Sequence, residues 1–262
     1  MIRVIINGNE FEAQPGDTVL AVARTAGIDI PTLCYHPATT PDGSCRLCLV
    51  EVSLQGRTRI VTSCCYPARD GLQVHTDTPR VQRARRGVME LLLARAPESE
   101  YLRALAASMG VTETRFPTVT HAQRDCILCG LCVSVCREII GGAAISFANR
   151  GVNRTVAAPF LEPSEACVGC GACEAVCPVG TIRLRWTEAE VEVSPFKTRV
   201  ALVRCEECGV AITGEPFSRQ VRERLGEKLA HAARLCDACK RKHTAVVAQQ
   251  TAHAHTGPSA DT

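Results

Sequence analysis

The chain has 262 residues, 46% of them hydrophobic and only 4% aromatic, with a formal net charge of +3 and 17 cysteines. That length suits one large domain or two to three small ones, with apolar material enough for a core. No stretch approaches the roughly 18 apolar residues of a membrane span and no secretory leader is apparent, which argues against a disulfide framework and for metal-binding cysteines in a reducing cytoplasm.

At the start, Ile2, Val4 and Ile6 alternate with Arg3 and Ile5, and Asn7-Gly8 is a hairpin turn signal. Phe11 then belongs to the returning strand. Pro15-Gly16-Asp17 turns the chain into a helix from about Thr18, with Val19, Leu20, Val22, Ala23 and Ala26 apolar. A long loop holding Cys34, Cys45 and Cys48 follows, and then strands at Leu49 to Val52 and Arg59 to Val61 around Gln55-Gly56. Two strands, a helix, a cysteine loop and further strands suggest a β-grasp ferredoxin domain over residues 1–78, within an α+β chain. Residues 79–118 read as a helical linker. Thr78 can cap and Pro79 can start one helix, and a second covers about Ser99 to Met109. The basic run Arg80, Arg83, Arg85 and Arg86 reads as a solvated helix face or a docking surface.

The first motif is Cys34-x10-Cys45-x2-Cys48-x15-Cys64, with Cys65 competing for the fourth position. Four thiolates around two irons hold a [2Fe–2S] cluster, and sulfur is the ligand type suited to iron in that form. In Gly43-Ser44-Cys45-Arg46-Leu47-Cys48 the glycine lets backbone N–H groups approach the sulfurs, and such hydrogen bonds tune the potential. The gap of ten excludes the plant-type spacing of four.

The second motif is Cys126-x2-Cys129-x2-Cys132-x3-Cys136, which recurs as Cys167-x2-Cys170-x2-Cys173-x3-Cys177-Pro178. Each run wraps three sulfurs around one [4Fe–4S] cluster, and its fourth cysteine reaches across to the other. The expected sets are Cys126, Cys129, Cys132 and Cys177 for one cluster, and Cys136, Cys167, Cys170 and Cys173 for the second. This two-[4Fe–4S] domain covers residues 119–190. Arg137 stands where the usual proline would follow Cys136, a cation that can affect the cluster's potential. His121 reads as a surface histidine.

The third motif pairs Cys205-x2-Cys208-Gly209 with Cys236-x2-Cys239 after a long gap. Two such pairs suggest a closed four-cysteine site for one Zn²⁺ in a zinc-ribbon-like module over 191–243, with a third [4Fe–4S] cluster as the competitor. The segment between, from about Glu215 to Leu235, reads as helical, with Val221, Leu225 and Leu229 at spacing four. A disordered tail is expected over 244–262. Four occupied sites, each near −2, would move the net charge to roughly −5, so the formal basicity is no argument for nucleic acid.

The stretches Pro31-Thr32-Leu33-Cys34-Tyr35-His36-Pro37 and Cys64-Cys65-Tyr66-Pro67 resemble the [2Fe–2S] domain of the respiratory complex I large peripheral subunit, of the diaphorase subunit of NAD-linked [NiFe] hydrogenases and of the N-terminus of [FeFe] hydrogenases. The resemblance covers roughly residues 1–190. It selects Cys64, three residues before the proline, as the ligand and leaves Cys65 a small buried hydrophobe. It departs at Arg95-Ala96-Pro97-Glu98-Ser99-Glu100-Tyr101, where those families carry a cluster held by one histidine and three cysteines and this chain has no cysteine. It implies a non-catalytic subunit relaying electrons between a flavin- and NAD(H)-binding subunit and a catalytic subunit of hydrogenase or formate dehydrogenase type. The alternative is a free multi-cluster carrier. No Gly-x-Gly-x-x-Gly follows a strand and no phosphate loop is present, so no nucleotide or substrate site is expected here.

Overall fold

The computed structural model describes residues 1–120, 123–225 and 234–254. The chain divides into two compact units, Met1–Leu161 with Ala172–Arg183, and Glu162–Gly171 with Leu184–Thr262.

In the first unit, β1 (Ile2–Ile6) and β2 (Asn9–Ala13) form an antiparallel hairpin. Its turn holds Asn7 at φ 51° and Gly8 at φ 88°, the left-handed pair that an Asn-Gly hairpin accepts at little cost. α1 (Val19–Thr25) starts at Thr18, whose hydroxyl accepts the Ala21 N–H. Two further N–H groups of its first turn go to a distant loop: Val19 donates to the Tyr66 carbonyl at 2.9 Å and Leu20 to that of Ser63 at 3.1 Å. The helix start therefore fixes the segment around Cys64. β3 (Leu49–Leu54), β4 (Arg57–Thr62) and β5 (Leu72–His75) complete a sheet of order β2-β1-β5-β3-β4, parallel between β1 and β5 and antiparallel elsewhere. α1 packs Val19, Leu20, Val22 and Ala23 into the same core as Val4, Ile6, Val50, Val52, Leu72 and Val74.

α2 (Pro79–Arg95) begins as its sequence implies. The Thr78 hydroxyl accepts the Val81 N–H at 3.2 Å and donates to Glu51 at 2.9 Å, and Pro79 occupies the first helical position, where no N–H is needed. α3 (Glu100–Ser108) is capped by Ser99, which accepts the Leu102 N–H at 3.3 Å. Met89, Leu92 and Leu93 of α2 and Leu102 and Ala106 of α3 share one hydrophobic cluster with Leu33, Leu47, Ile127 and Leu131. The basic run is not uniformly solvated. Arg80, Arg83 and Arg86 are exposed, but Arg85 is only 8% exposed. It lies between Val81 and Met89 at spacing four, on the buried stripe of the helix. The unit continues through α4 (Leu131–Ser134), a single π turn (Val135–Ile140), the antiparallel pair β6 (Ser146–Ala148) and β7 (Thr155–Ala157), and the short helix α5 (Ala172–Ala175). His121 lies outside the described residues.

The second unit contains strands that the cysteine motifs do not announce. β8 (Arg183–Trp186) starts at its boundary, and β9 (Glu190–Ser194), β10 (Thr198–Arg204) and β11 (Ala211–Gly214) complete a sheet of order β11-β10-β9-β8. Val191 and Val193 of β9 and Thr198 and Val200 of β10 are buried, a strict period of two within each of these strands. The Cys167–Cys170 loop lies against this sheet at Gly169, which sits at φ 67° and where a Cβ would stand 2.9 Å from Val191 Cγ1. α6 (Glu215–Leu225) agrees with the expected helix up to Leu225, whereas Leu229 is outside the described residues. α7 (Asp237–Ala254) carries helix well into the expected tail. Its Ala-, Gln- and Lys-rich composition favours helix strongly enough to explain the difference.

Replacing Thr78 with alanine should loosen α2 by about 1 kcal/mol, read as roughly fivefold faster amide exchange along its first turns in the metal-loaded chain. Thr78→Ser should leave exchange unchanged. Equal exchange in wild type and Thr78→Ala would show that this cap does not hold the helix.

Candidate metal centres

Cys34, Cys45, Cys48 and Cys64 are all buried. Gly43 at φ 66° and Arg46 at φ 57° curl the loop, so that the Cys45 N–H donates to Cys34 Sγ at 3.3 Å. The Ser63 N–H donates to the Cys48 carbonyl at 3.0 Å and draws the second segment onto the first, leaving Cys48 and Cys64 Sγ 3.4 Å apart. The sulfurs thus group as Cys34 with Cys45 and Cys48 with Cys64. The thiol of Cys34 brings Cys45 down to about 6 and is itself pushed up. Cys64 does the same for Cys48, brought down to about 6, and is likewise pushed up. The Ser63 hydroxyl is fully buried with no ordinary hydrogen-bond partner among the described residues, and it favours the Cys48 thiolate. A metal-bound thiolate is the acceptor that such a hydroxyl lacks. Four convergent buried thiols and an orphaned donor beside them fit a sulfur-ligated metal.

Cys65 is not a buried hydrophobe. It is exposed, with its Sγ 3.5 Å from that of Cys64 and 3.7 Å from the Pro41 carbonyl. In the tight turn over residues 63–65 one side chain faces the core and the next faces water. Nothing in the residue types distinguishes the two.

The first cysteine run is built on left-handed turns. Leu128 at φ 54° and Gly130 at φ 81° bend the loop, the Leu128 N–H donates to Cys126 Sγ at 3.4 Å, and a Cβ on Gly130 would meet the Phe147 ring at 3.3 Å. Burial raises the thiols of Cys126 and Cys132 and pushes Cys129 up to about 12. Cys177 lies within electrostatic reach of all three. Its segment is tied to theirs by Thr181, whose hydroxyl donates to the Asp125 carbonyl at 3.1 Å. Cys136 stands in the π turn, where its Sγ accepts the Ala144 N–H at 3.3 Å. Such turns occur disproportionately at functional sites. Arg137 points to solvent and pairs with Glu138 at 3.0 Å. The Thr40 N–H and Arg137 together hold that carboxyl below its ordinary range, so the charge of Arg137 is largely answered locally. Cys173 and Cys177 belong to the first unit and Cys167 and Cys170 to the second. In the second, the Cys167 N–H donates to the Ser164 carbonyl at 3.1 Å.

Cys205, Cys208, Cys236 and Cys239 come together, with their sulfurs all within 4.8 Å of one another. The loop from β10 to β11 makes a knuckle: the Cys205 N–H donates to the Val210 carbonyl at 2.8 Å, the Gly209 N–H to that of Cys205 at 3.0 Å, and Gly209 takes φ 72°. The other pair opens α7. Its Cys236 N–H donates to Cys205 Sγ at 3.4 Å. The N–H groups of Cys208 and Cys236 bring Cys205 down to about 6, and the Cys239 N–H lowers Cys236. Two sulfurs favoured as thiolate, with two more at single-ion spacing, fit one tetrahedral metal.

Residues 1–79 match the 2Fe-2S iron-sulfur cluster binding domain, and residues 166–214 match the 4Fe-4S dicluster domain. The second match takes in Cys167 to Cys177 together with Cys205 and Cys208, and the run from Cys126 to Cys136 lies before it. The chain is 34% identical over 207 residues to an NADH-quinone oxidoreductase subunit of Rhizobium meliloti, covering 70% of this chain and 24% of that protein. It is 32% identical over 268 residues to the NADP-reducing hydrogenase subunit HndD of Solidesulfovibrio fructosivorans, covering 89% of this chain and 45% of that protein. It therefore spans less than half the length of either curated relative. A chain of the NAD+-reducing [NiFe]-hydrogenase in the H2-reduced state aligns with it at TM-score 0.60 and 32% identity, over 68% of this chain and 85% of that one. This chain belongs to the family of iron–sulfur electron-transfer subunits that serve NADH- and NADP-linked oxidoreductases and hydrogenases.

Proposed function

We propose that this chain is the relay subunit of a multisubunit oxidoreductase, standing between a flavin- and NAD(H)-binding subunit and a catalytic subunit of hydrogenase or formate dehydrogenase type. When bound, its iron–sulfur clusters supply one-electron carriers. The observation that carries the reading is one hydrophobic cluster that contains Cys34 and Cys45 together with Cys129. Ligands of two centres in one buried apolar cluster favour short passage between them.

The ligand sets follow from the residues. Cys34 and Cys45 would hold one iron of a [2Fe–2S] site, and Cys48 and Cys64 the other. Sulfurs on one tetrahedral metal stand about 3.8 Å apart for bonds near 2.3 Å, and the 3.4 Å between Cys48 and Cys64 needs only a small adjustment. Cys126, Cys129, Cys132 and Cys177 would hold one [4Fe–4S] cluster. The sequence repeat assigns Cys136, Cys167, Cys170 and Cys173 to a second. At Cys205, Cys208, Cys236 and Cys239 the 4.8 Å limit favours one Zn²⁺ over a cubane, because each thiolate of a cubane caps a different iron and stands further from the others. Zinc has no redox chemistry, so its role there is to brace the knuckle and α7. Among the described residues no helix is long and apolar enough to cross a membrane.

Metal analysis of the chain purified anaerobically should find about ten iron atoms and about one zinc. Iron near fourteen with no zinc would replace the zinc site by a third cubane, and iron near six would remove one carrier and break the relay.

The adjacent cysteines should separate cleanly. Cys64→Ser should abolish or strongly distort the [2Fe–2S] paramagnetic signal, whereas Cys65→Ser should leave it intact and change stability by under about 0.5 kcal/mol, as at an ordinary surface position. The opposite pattern would make Cys65 the ligand.

Pure chain should not reduce dyes with NADH, and should transmit electrons once its partner subunits are added. NADH-dependent dye reduction by the chain alone would contradict a pure relay.

A further inference from the structure

Two arginines of α2, one buried and one half-buried, hydrogen-bond to backbone carbonyls directly after or three residues before proposed ligands of two different centres. Arg85 is 8% exposed, and its Nε and Nη2 both donate to the Leu49 carbonyl, at 3.1 and 2.6 Å. Leu49 follows Cys48 directly. At the far end of the helix, Arg95 donates from Nη1 to the Gln123 carbonyl at 3.2 Å and from Nη2 to the Arg154 carbonyl at 3.3 Å, while its buried Nε has no hydrogen-bond partner among the described residues. The same Gln123 carbonyl accepts the Cys126 N–H at 3.1 Å. Gln123 is itself anchored, its Nε2 donating to the Val156 carbonyl at 2.7 Å and its Oε1 accepting the Val156 N–H at 3.2 Å.

Carbonyls satisfy the donors of a guanidinium but leave its charge intact. A buried or half-buried cation is costly unless negative charge lies near it, and neither arginine forms a salt bridge among the described residues. Arg80 on the same helix shows the contrast: it is exposed and pairs with Glu51 at 2.9 Å. Around Arg85 the charged neighbours are Asp77, Cys48 and Asp29. Both aspartates are exposed and screened by solvent, which leaves the centre of the buried Cys48, when loaded, as the source of negative charge in the low-dielectric region. Around Arg95 they are Cys126 and the half-buried Asp125.

We propose that α2 delivers one fixed positive charge to each of two neighbouring metal centres, Arg85 to that of Cys48 and Arg95 to that of Cys126, and that each charge raises the potential of its own centre. The proposal rests on the ligand sets given above. Adding one electron to either centre adds one negative charge, which a nearby cation stabilises. Arginine stays protonated throughout the accessible pH range, so the bias is permanent and no proton need accompany the electron on its account. The two guanidinium groups are ten residues apart on one helix and each is held by backbone carbonyls, so each centre has its own cation.

The test is a dithionite titration of the full-length, cluster-loaded chain followed by electron paramagnetic resonance, with iron content measured first. Wild-type iron content and signals decide the ligand reading before any potentials are compared. Arg85→Gln should make reduction of the [2Fe–2S] centre roughly tenfold less favourable, equivalent to about 59 mV for a one-electron couple, and leave the [4Fe–4S] signals in place. Arg95→Gln should shift one [4Fe–4S] signal by a similar factor and leave [2Fe–2S] unchanged. With iron content intact, potentials that do not move, or either substitution moving both centres equally, would overturn the proposal. If a glutamine variant loses iron, Arg85→Lys or Arg95→Lys decides. A potential within about threefold of wild type in the reduction equilibrium supports a charge role. A shift as large as tenfold, or loss of the cluster from the lysine variant as well, means that the residue serves packing alone.

Discussion

Burying thiolate sulfur in an apolar layer is the constraint on which the first unit is built. Burial pushes Cys126, Cys129 and Cys132 up, so deprotonated sulfur is tolerated there only where positive charge compensates it. Metal supplies most of that charge when bound, and backbone N–H groups and guanidinium groups supply the rest. The local structure answers this demand. Left-handed residues at Gly43, Arg46, Leu128 and Gly130 turn N–H groups inward, and Cys45 and Leu128 each direct one at a sulfur.

The same demand explains why α2 is central. Its apolar stripe packs with the loops of both centres, and two of its arginines, Arg85 buried and Arg95 half-buried, bond to carbonyls beside them. A helix that only joined two domains would keep its arginines in water, as Arg80, Arg83 and Arg86 are kept. The second unit solves a simpler problem. Its four-cysteine knuckle lies between β10 and β11 and at the start of α7, where four convergent sulfurs meet under a small apolar cluster of Leu235 and Ile212.

Much of this is legible in the residues. Asn7-Gly8, Thr18 and Thr78-Pro79 each carry a turn or cap whose physics is local, and each forms where expected. The spacing of the cysteines announces sulfur-ligated metal, and the domain matches agree with it. What escapes depends on direction rather than type. Cys64 and Cys65 are chemically identical neighbours, and only the turn decides which faces Cys48. Arg85 stands within a basic run that suggests solvation, although its spacing of four from both Val81 and Met89 is the available sign of an inward position. The strands of the second unit escape because Val191, Val193 and Val200 alternate with Glu and Arg in segments that the cysteine motifs overshadow. The helix through Ala254 escapes because Gln249-Gln250 and the Thr256-Gly257-Pro258-Ser259 run that follows have the composition of a tail.

Whether the centres of Cys34/Cys45 and of Cys129 share one apolar core is tested by the magnetic interaction between them in the fully reduced chain, measured by the spin relaxation of the [2Fe–2S] signal. This signal should relax markedly faster when the neighbouring [4Fe–4S] cluster is also reduced and paramagnetic than when it is oxidised. Relaxation of the [2Fe–2S] signal that is identical in the two states would place the centres apart and contradict a shared core.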